Sequence, residues 1–122
     1  MIKRFDRLEI ITSDLDDAAR VYRNNFGLAV RPAASPNEAA ITLGDAEIRL
    51  RAGVPVAAML AATGEGLGAV WLEADDVDQV AAALQTAGIT FAPLRHEDGR
   101  RVLAVDLRAA HMVPLYIFDR KV

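Results

Sequence analysis

The chain has 122 residues and a mass of 13.2 kDa, which fits one domain that is large enough to bury a core. Its 14 basic and 17 acidic side chains give a net charge of −3 without forming runs, which disfavours a nucleic-acid-binding protein. The absence of cysteine excludes a disulfide framework and thiolate chemistry, and the absence of a long apolar segment or apolar leader predicts a cytoplasmic protein.

The first predicted strand runs from Phe5 to Thr12 and alternates in side-chain character. One face is apolar, at Leu8 and Ile10, and the other carries charge, at Arg7 and Glu9. Such a strand packs one face against a core and leaves the other face partly polar.

A helix is predicted directly after this strand. Asp14 can accept hydrogen bonds from the free amide groups of a first helical turn, and the acidic residues Asp16 and Asp17 suit the positive end of the helix dipole. The apolar residues that recur at helical spacing are Leu15, Ala18, Ala19, Tyr22 and Phe26. Gly27 is predicted to end the helix.

Three short strands follow without another amphipathic helix. They are predicted at Leu28–Arg31, Ala39–Leu43 and Ala46–Arg51. In the last strand Ile48 and Leu50 point to one face, while Glu47 and Arg49 point to the other. The next segment, Val54–Leu67, holds the apolar run AAMLAA and is predicted to be a short helix and a linker between two halves, or a lid over a pocket.

The second half repeats the order of the first. The strand Ala69–Ala74 places Trp71 and Glu73 on the face opposite Leu72. Asp75 or Asp76 is predicted to cap a helix that ends at Gly88. The remaining segments are predicted strands at Ile89–Leu94, Arg101–Leu107 and Val113–Asp119, and turns at His96–Gly99 and Ala109–Met112.

This order makes the chain an internal repeat. The segments RLEIITSDLDDAARVYRNNFGLAV and AVWLEADDVDQVAAALQTAGITF agree in pattern, so that Asp14 falls on Asp76 and, after one residue is dropped, Gly27 on Gly88. The sequence predicts an α+β protein with a single domain, residues 1–122, built from module 1 (about 1–53), a linker (about 54–67) and module 2 (about 68–122). Four extended segments between the helices argue against a ferredoxin-like fold, which has two.

The chain resembles the vicinal oxygen chelate superfamily, which holds glyoxalase I, methylmalonyl-CoA epimerase, extradiol dioxygenases and bleomycin-resistance proteins. The resemblance rests on the opening RLEIITSDLDDAARVYRNNFGL, the mid-chain GAVWLEADDVDQVAAALQTAGITF and the closing VPLYIFD, and it covers Phe5 to Asp119. It implies two βαβββ modules whose eight strands form an open cup, with helices outside and a ligand site inside. One scaffold of this kind serves many chemistries, so the resemblance does not define an activity.

The resemblance also implies where a metal ion would bind. In metal-using members, four inward side chains, usually His, Glu or Gln, come from the first and fourth strands of each module, and these positions fall on Arg7, Arg49, Ala69 and Tyr116. Guanidinium, methyl and lone phenol groups are poor ligands for a divalent cation, and a shift of the alignment to Glu47 would supply one ligand at most. His96 and His111 lie in predicted turns without a second ligand beside them. We therefore expect neither a metal site nor a cofactor.

The predicted ligand-binding residues combine aromatic rings with a few charges, as small-molecule sites do. They are Arg7, Glu9, Arg49, Trp71, Glu73, Tyr116 and Phe118. The rings would hold a flat or apolar ligand, and Arg7 and Arg49 would pair with its carboxylate, phosphate or enolate oxygen. The alternative interpretation is that these charges neutralise one another and that the rings belong to the core or to a dimer interface. Arg100 and Arg101 are predicted to lie in a solvated hairpin.

Three functions are compatible with these residues. The first is a metal-independent protein that binds an aromatic or anionic small molecule, similar to the drug-binding resistance members of the superfamily. The second is a metal-free isomerase or lyase in which Glu9 or Glu73 acts as general base and Arg7 or Arg49 stabilises an oxyanion. The third, a glyoxalase- or dioxygenase-type metalloenzyme, is disfavoured by the four substitutions. Open strand edges predict a homodimer, and neither nucleic acid nor a membrane is an expected partner.

Overall fold

The structure is a computed structural model that describes residues 1–96 and 98–121. In these residues eight strands and three α-helices follow one another as β1 (Ile2–Ile11), α1 (Leu15–Phe26), β2 (Arg31–Pro32), β3 (Glu38–Leu43), β4 (Ala46–Arg51), α2 (Ala57–Thr63), β5 (Gly66–Ala74), α3 (Val77–Thr86), β6 (Phe91–Arg95), β7 (Arg101–Val105) and β8 (Leu115–Phe118). Glu97, in the predicted turn His96–Gly99, and Val122 lie outside the described residues. No helix in the described part of the chain is long and apolar enough to cross a membrane.

The chain divides into two compact units. The first unit is Arg7–Gly68, and the second unit combines Met1–Asp6 with Ala69–Val122, so that β1 contributes residues to both. The strand order is β2-β3-β4-β1 in the first unit and β6-β7-β8-β5-β1 in the second. In each unit the first and last strands of a βαβββ module are parallel, β1 with β4 and β5 with β8. The predicted α+β class, with two βαβββ modules and an eight-stranded sheet, is confirmed.

Helix α1 begins and ends where the sequence predicts. The Asp14 side chain accepts a hydrogen bond from the Asp17 amide at 3.1 Å, and Gly27 adopts a left-handed conformation at φ 66°. The buried stripe is shorter than predicted. Ala19 is buried, but Phe26 is 64% exposed and instead contacts Tyr22, with their ring centroids 5.9 Å apart.

Two strands begin later than predicted because a backbone amide just before each strand donates its hydrogen bond to the end of the preceding helix. The Leu28 amide donates to the Tyr22 carbonyl at 3.2 Å, so the strand predicted at Leu28–Arg31 is reduced to Arg31–Pro32. In the second unit the Ile89 amide donates to the Leu84 carbonyl at 2.9 Å, and β6 begins at Phe91. An amide that closes a helix cannot also join a strand ladder.

The last two strands are also shorter than predicted. Strand β7 ends at Val105, because the Asp106 side chain accepts from the Arg108 amide at 2.9 Å and starts a 3-10 turn at Leu107–Ala110. Strand β8 then covers only Leu115–Phe118 of the predicted Val113–Asp119.

The segment between the modules contains the predicted short helix. A 3-10 turn at Val54–Val56 leads into α2, and β5 follows. Glu65 attaches this segment to the end of β1, because one of its carboxylate oxygens accepts from the Ser13 amide at 2.8 Å and from the Ser13 hydroxyl at 2.6 Å. Gly68 is required by close packing, since a Cβ atom there would lie 2.6 Å from Cγ2 of Ile11.

The second unit packs apolar side chains on both faces of its strands. One cluster joins Val77 and Val80 of α3 to Leu103 and Ile117 of the strands. The other cluster contains Ala69, Trp71, Val102 and Phe118, with Tyr116 packed against it. Because neighbouring strand residues point to opposite faces, the second cluster, which we call the aromatic cluster, lies on the face turned away from α3.

Candidate ligand-binding site

Charged side chains alternate in sign on one face of the first unit. The parallel register of β1 and β4 places Arg7 beside Glu47 and Glu9 beside Arg49. Opposite charges are therefore neighbours both along each strand and across the pair, which is the favourable arrangement for a sheet surface. We call this set of residues the charged face.

The ion pairs of the charged face are close and partly buried. The two oxygens of Glu9 lie 3.0 Å from Nε of Arg7 and 3.2 Å from Nη1 of Arg51. Arg49 lies 2.7 Å from Glu47 and 3.1 Å from Glu38. Burial by itself would lower the pKa of Arg49, but its hydrogen bonds with Glu38 and Glu47 and their negative charges outweigh this effect and raise it. Arg49 therefore stays cationic, and a ligand oxyanion would have to compete with carboxylates already in place.

The side chains at the four implied metal positions do not fit a divalent cation. The guanidinium groups of Arg7 and Arg49 are cationic and engaged with Glu9 and Glu47. Ala69 offers a buried methyl group, and the Tyr116 ring is stacked on Trp71. In residues 1–96 and 98–121 no group of three or more His, Asp or Glu side chains is placed to hold an ion. These four side chains offer one phenol oxygen and neither an imidazole nor a carboxylate, so they supply too few ligands for such an ion.

The predicted aromatic residues lie together in the second unit. The register of β5 and β8 pairs Trp71 with Tyr116, and their rings stack with centroids 4.8 Å apart and planes 18° apart. Phe118 meets Trp71 edge-on at 6.0 Å, and His96 does so at 5.9 Å. Phe118 is fully buried and Trp71 is 9% exposed, whereas Tyr116 is half-buried. Tyr116 is thus the most accessible ring of the aromatic cluster.

Glu73 is a buried carboxylate that is surrounded by cations. One oxygen lies 2.7 Å from Nε of Arg4 and 3.2 Å from Nε of Arg120, and the other lies 3.4 Å from Nζ of Lys3. Burial alone would raise the pKa of Glu73, but the hydrogen bonds from Arg4, Arg120 and Lys3 outweigh it, and the pKa is lowered. A general base at neutral pH needs a raised pKa, so these contacts oppose that role for Glu73.

A pocket of about 870 Å³ lies in the second unit beside the aromatic cluster. It is formed by the β6–β7 hairpin and by the residues that follow β8, and we call it the basic pocket. Its lining residues are Arg95, Asp98, Gly99, Arg100, Arg101, Arg120 and Lys121. The guanidinium carbons of Arg100 and Arg120 lie 5.1 and 5.3 Å from the centroid of the Phe118 ring. These two arginines therefore border both the pocket and the cluster.

Within each unit, some of the predicted site residues contact one another. Arg7 contacts Glu9 in the first unit, while Trp71 contacts both Tyr116 and Phe118 in the second. Glu73, also in the second unit, pairs with the cations Arg4, Arg120 and Lys3.

Sequence reasoning missed the cations that surround these groups. The position of Arg120 could have been predicted, because the alternation that puts Tyr116 and Phe118 on one face extends to position 120. Arg100, which was expected to be solvated, lies over Phe118. Its neighbour Arg101 pairs with Asp78 at 2.7 Å. No periodic signal marks the contacts of Arg100, because a turn has no fixed side-chain period.

The repeated βαβββ order and the strand register define a protein of the vicinal oxygen chelate type. Residues 4–119 match the family model of the Glyoxalase/Bleomycin resistance protein/Dioxygenase superfamily, and the chain belongs to this superfamily. The match confirms the resemblance found in the sequence. Comparison with curated protein sequences finds no match.

Several solved structures share this fold. A hypothetical protein from Bacillus halodurans C-125 is 18% identical, with a TM-score of 0.78 over 98% of this chain and 95% of that chain. Methylmalonyl-CoA epimerase from Mycobacterium tuberculosis is 19% identical, with a TM-score of 0.78 over 99% and 90%. A variant of the Streptomyces coelicolor methylmalonyl-CoA epimerase, solved with 2-nitronate-propionyl-CoA, is 23% identical, with a TM-score of 0.74 over 98% and 95%. Likeness at this level of identity establishes the fold and not the activity.

Proposed function

We propose that the protein binds an aromatic or anionic small molecule without a metal ion. The observation that carries the proposal is the Trp71–Tyr116 stack, which lies on the face turned away from α3 and beside the basic pocket. Aromatic walls supply burial and stacking for a flat ligand, and nearby cations fix the orientation of its polar end.

The ligand-binding roles of Arg7, Glu9, Arg49, Glu73 and Phe118 remain part of this proposal. In the first unit, a ligand oxyanion would bind Arg7 or Arg49 by displacing Glu9 or Glu47, whose oxygens occupy those guanidinium groups. In the second unit, Phe118 contacts Trp71 edge-on and Glu73 pairs with Arg120. Phe118 and Glu73 therefore define the shape and charge of the site in the second unit more than they contact the ligand.

Metal independence is supported by the side chains at the implied ligand positions, which are two paired guanidiniums, a methyl and a stacked phenol. A related fold accommodates organic anions, since one methylmalonyl-CoA epimerase was solved with methylmalonyl-CoA and NH4+. We further propose that the protein is a cytoplasmic homodimer.

Binding can be tested with 4-nitrobenzoate and 4-nitrobenzamide, which quench indole fluorescence on contact. Trp71 is the only tryptophan, so its emission reports on the aromatic cluster. We expect saturable quenching with the same Kd before and after dialysis against EDTA. Tyr116→Ala should weaken binding about tenfold, because a stacked aromatic partner contributes about 1–1.5 kcal/mol.

The matched control is Tyr22→Ala, which removes the other tyrosine, a half-buried residue of α1 that contacts Phe26, and should leave the Kd unchanged. Elemental analysis of protein purified without chelator completes the test. One bound transition-metal ion per chain, together with loss of quenching after EDTA, would overturn metal independence. Unsaturable quenching that is equal in both tyrosine variants would overturn the assignment of the site.

A further inference from the structure

The basic pocket is unusual in the balance of its lining. Among the described residues, seven line the pocket, of which five are cationic and one, Asp98, is acidic. Its volume of about 870 Å³ lies within the range that accommodates small organic ligands. The seven lining residues include none of the charged face and none of the four implied metal positions. The role of the pocket therefore has to be explained separately.

Hydrogen-bond donors remain available on two of these arginines. A guanidinium carries five N–H donors and no acceptor. Nη1 of Arg95 donates to the Gly99 carbonyl at 3.1 Å, and within the described residues no carboxylate lies at ion-pairing distance from Arg95. Nη2 of Arg100 lies 2.7 Å from Asp98, which is an exposed residue of the same hairpin. Both arginines can therefore donate to a bound oxyanion without breaking a buried ion pair.

The other three cations are held from behind by carboxylates. Arg120 pairs with buried Glu73 at 3.2 Å, Arg101 pairs with buried Asp119 at 3.1 Å, and Lys121 pairs with an oxygen of Asp76 at 2.8 Å. These pairs reduce the net charge of the region, so long-range attraction of anions is weak. They also fix the donors in place, which favours directional hydrogen bonds to an anion at short range.

One hairpin connects this pocket to the aromatic cluster. Arg100 lines the pocket and places its guanidinium over Phe118 at 5.1 Å. His96, four residues earlier, meets the Trp71 ring edge-on at 5.9 Å. A ligand that contacts the cluster through a ring can therefore extend a charged group into the pocket.

We propose that the basic pocket binds the oxyanion, a carboxylate or a phosphate, of an aromatic ligand whose ring contacts the aromatic cluster. This proposal rests on the proposed function and adds to it a site for the charged group of the aromatic ligand. The main anion-binding role is then assigned to Arg95 and Arg100, which have N–H donors available for a ligand. Arg7 and Arg49 are less suitable, because both already pair with carboxylates.

The test follows the arginine Nε–H and tryptophan indole N–H signals by NMR during titration of the intact chain. The probes are 4-nitrobenzoate, 4-nitrophenyl phosphate, 4-nitrobenzamide and inorganic phosphate. We expect both aromatic anions to shift the signals of Arg95, Arg100 and Trp71 in a saturable way. The neutral amide should shift Trp71 alone and bind about tenfold more weakly, since it lacks charge-assisted hydrogen bonds.

The probes separate this inference from the proposed function. If the amide and the anions bind equally well and the arginine signals do not shift, the proposed anion-binding role of the basic pocket is wrong. The proposed aromatic site would be unaffected by that result. Arginine shifts by inorganic phosphate, with no probe moving Trp71, would overturn the aromatic site and reduce the pocket to a free-phosphate site. A Kd for 4-nitrophenyl phosphate well below that for inorganic phosphate supports a ligand that carries both groups.

Arg100→Gln provides the matched variant, because it removes charge from the pocket and leaves an exposed hairpin otherwise intact. It should weaken binding of 4-nitrobenzoate about tenfold and leave the amide unaffected. Arg108→Gln, at a largely exposed arginine outside the pocket, should change neither. Equal loss of affinity for acid and amide in Arg100→Gln would show that Arg100 acts only through packing on Phe118, and this would overturn its anion-binding role.

Discussion

At the scale of single residues, Glu73 shows that burial alone does not turn a carboxylate into a base. Its side chain is 3% exposed, a setting that would raise the pKa of an isolated carboxyl. Arg4, Arg120 and Lys3 surround it and lower the pKa below the ordinary value of 4.5. The residue is better suited to fix Arg120 at the edge of the basic pocket than to accept a proton from a substrate.

Glu73→Gln should destabilise the protein by about 2 kcal/mol at neutral pH, because it removes charge-assisted hydrogen bonds from three cations. In the wild type this contribution is complete above the ordinary carboxyl pKa of 4.5 that the unfolded chain has. It is lost as the pH falls through the lower folded-state pKa, since the unfolded chain then binds the proton more readily. Urea unfolding from pH 7 to pH 3 should therefore show a smaller loss of stability in the variant than in the wild type.

Asp17→Asn is the control for Glu73→Gln. Asp17 pairs with Arg20 at 3.2 Å, but both side chains are more than 60% exposed. The change in unfolding free energy should stay within about 0.5 kcal/mol. If the two variants proved equally stable, the cations around Glu73 would contribute no more than a surface pair.

The aromatic residues of the site could be predicted from the sequence, whereas the partners of Glu73 could not. Alternation along a strand places Trp71 on one face and Tyr116 and Phe118 with it, and the structure agrees. Arg4 and Lys3 reach Glu73 across a separation of about seventy positions, and such contacts depend on strand neighbours that no local pattern encodes.

At the scale of elements, both helices of the repeat end by returning an amide to the helix. After α1 the Leu28 amide bonds to Tyr22, and after α3 the Ile89 amide bonds to Leu84. In each case a glycine with positive φ makes the reversal possible. Hydrophobicity predicted that the strands begin at Leu28 and Ile89. These starting residues were wrong, because apolar character does not show which backbone amides bond to the end of the preceding helix.

The start of α1 offers a direct test of an element that the sequence predicted well. Asp14→Ala removes the acceptor for the Asp17 amide and should cost about 1 kcal/mol of unfolding free energy, measured with urea. Asp16→Ala, in the exposed first turn, loses only a favourable interaction with the helix dipole and should cost about 0.3–0.5 kcal/mol. Equal losses would mean that charge, and not the capping hydrogen bond, stabilises this helix start.

At the scale of the whole molecule, the internal repeat made the fold predictable. The order strand, helix and three strands occurs twice, and each occurrence yields the same parallel pairing of its first and last strand. The repeat did not predict the basic pocket, because its cations lie in the β6–β7 hairpin and after β8, whereas the corresponding connecting segments of the first module, residues 33–37 and 52–53, carry no cation. The repeat thus predicts the fold that the two modules share. It does not predict the proposed site, whose residues differ between the modules.

The outermost strand of each unit bears on the proposed homodimer. Strand β2 has only two residues, so its edge offers little for pairing. Strand β6 has five residues, one of them Pro93, and ends the strand order of the second unit, and its Leu94 is 47% exposed. An extended edge with an exposed apolar residue is a surface on which a second copy can pair. We therefore propose that the contact of this homodimer is at β6.

Sedimentation should detect a species of twice the 13.2 kDa chain mass, and Leu94→Lys should shift it to the monomer, because a charge on the β6 edge disfavours pairing. Leu43→Lys changes a leucine of matched exposure on β3 and should leave the dimer intact. A wild-type protein that sediments as a monomer would contradict the homodimer. A dimer that both variants weaken equally would move the contact away from β6, since only general surface charge would then explain the loss.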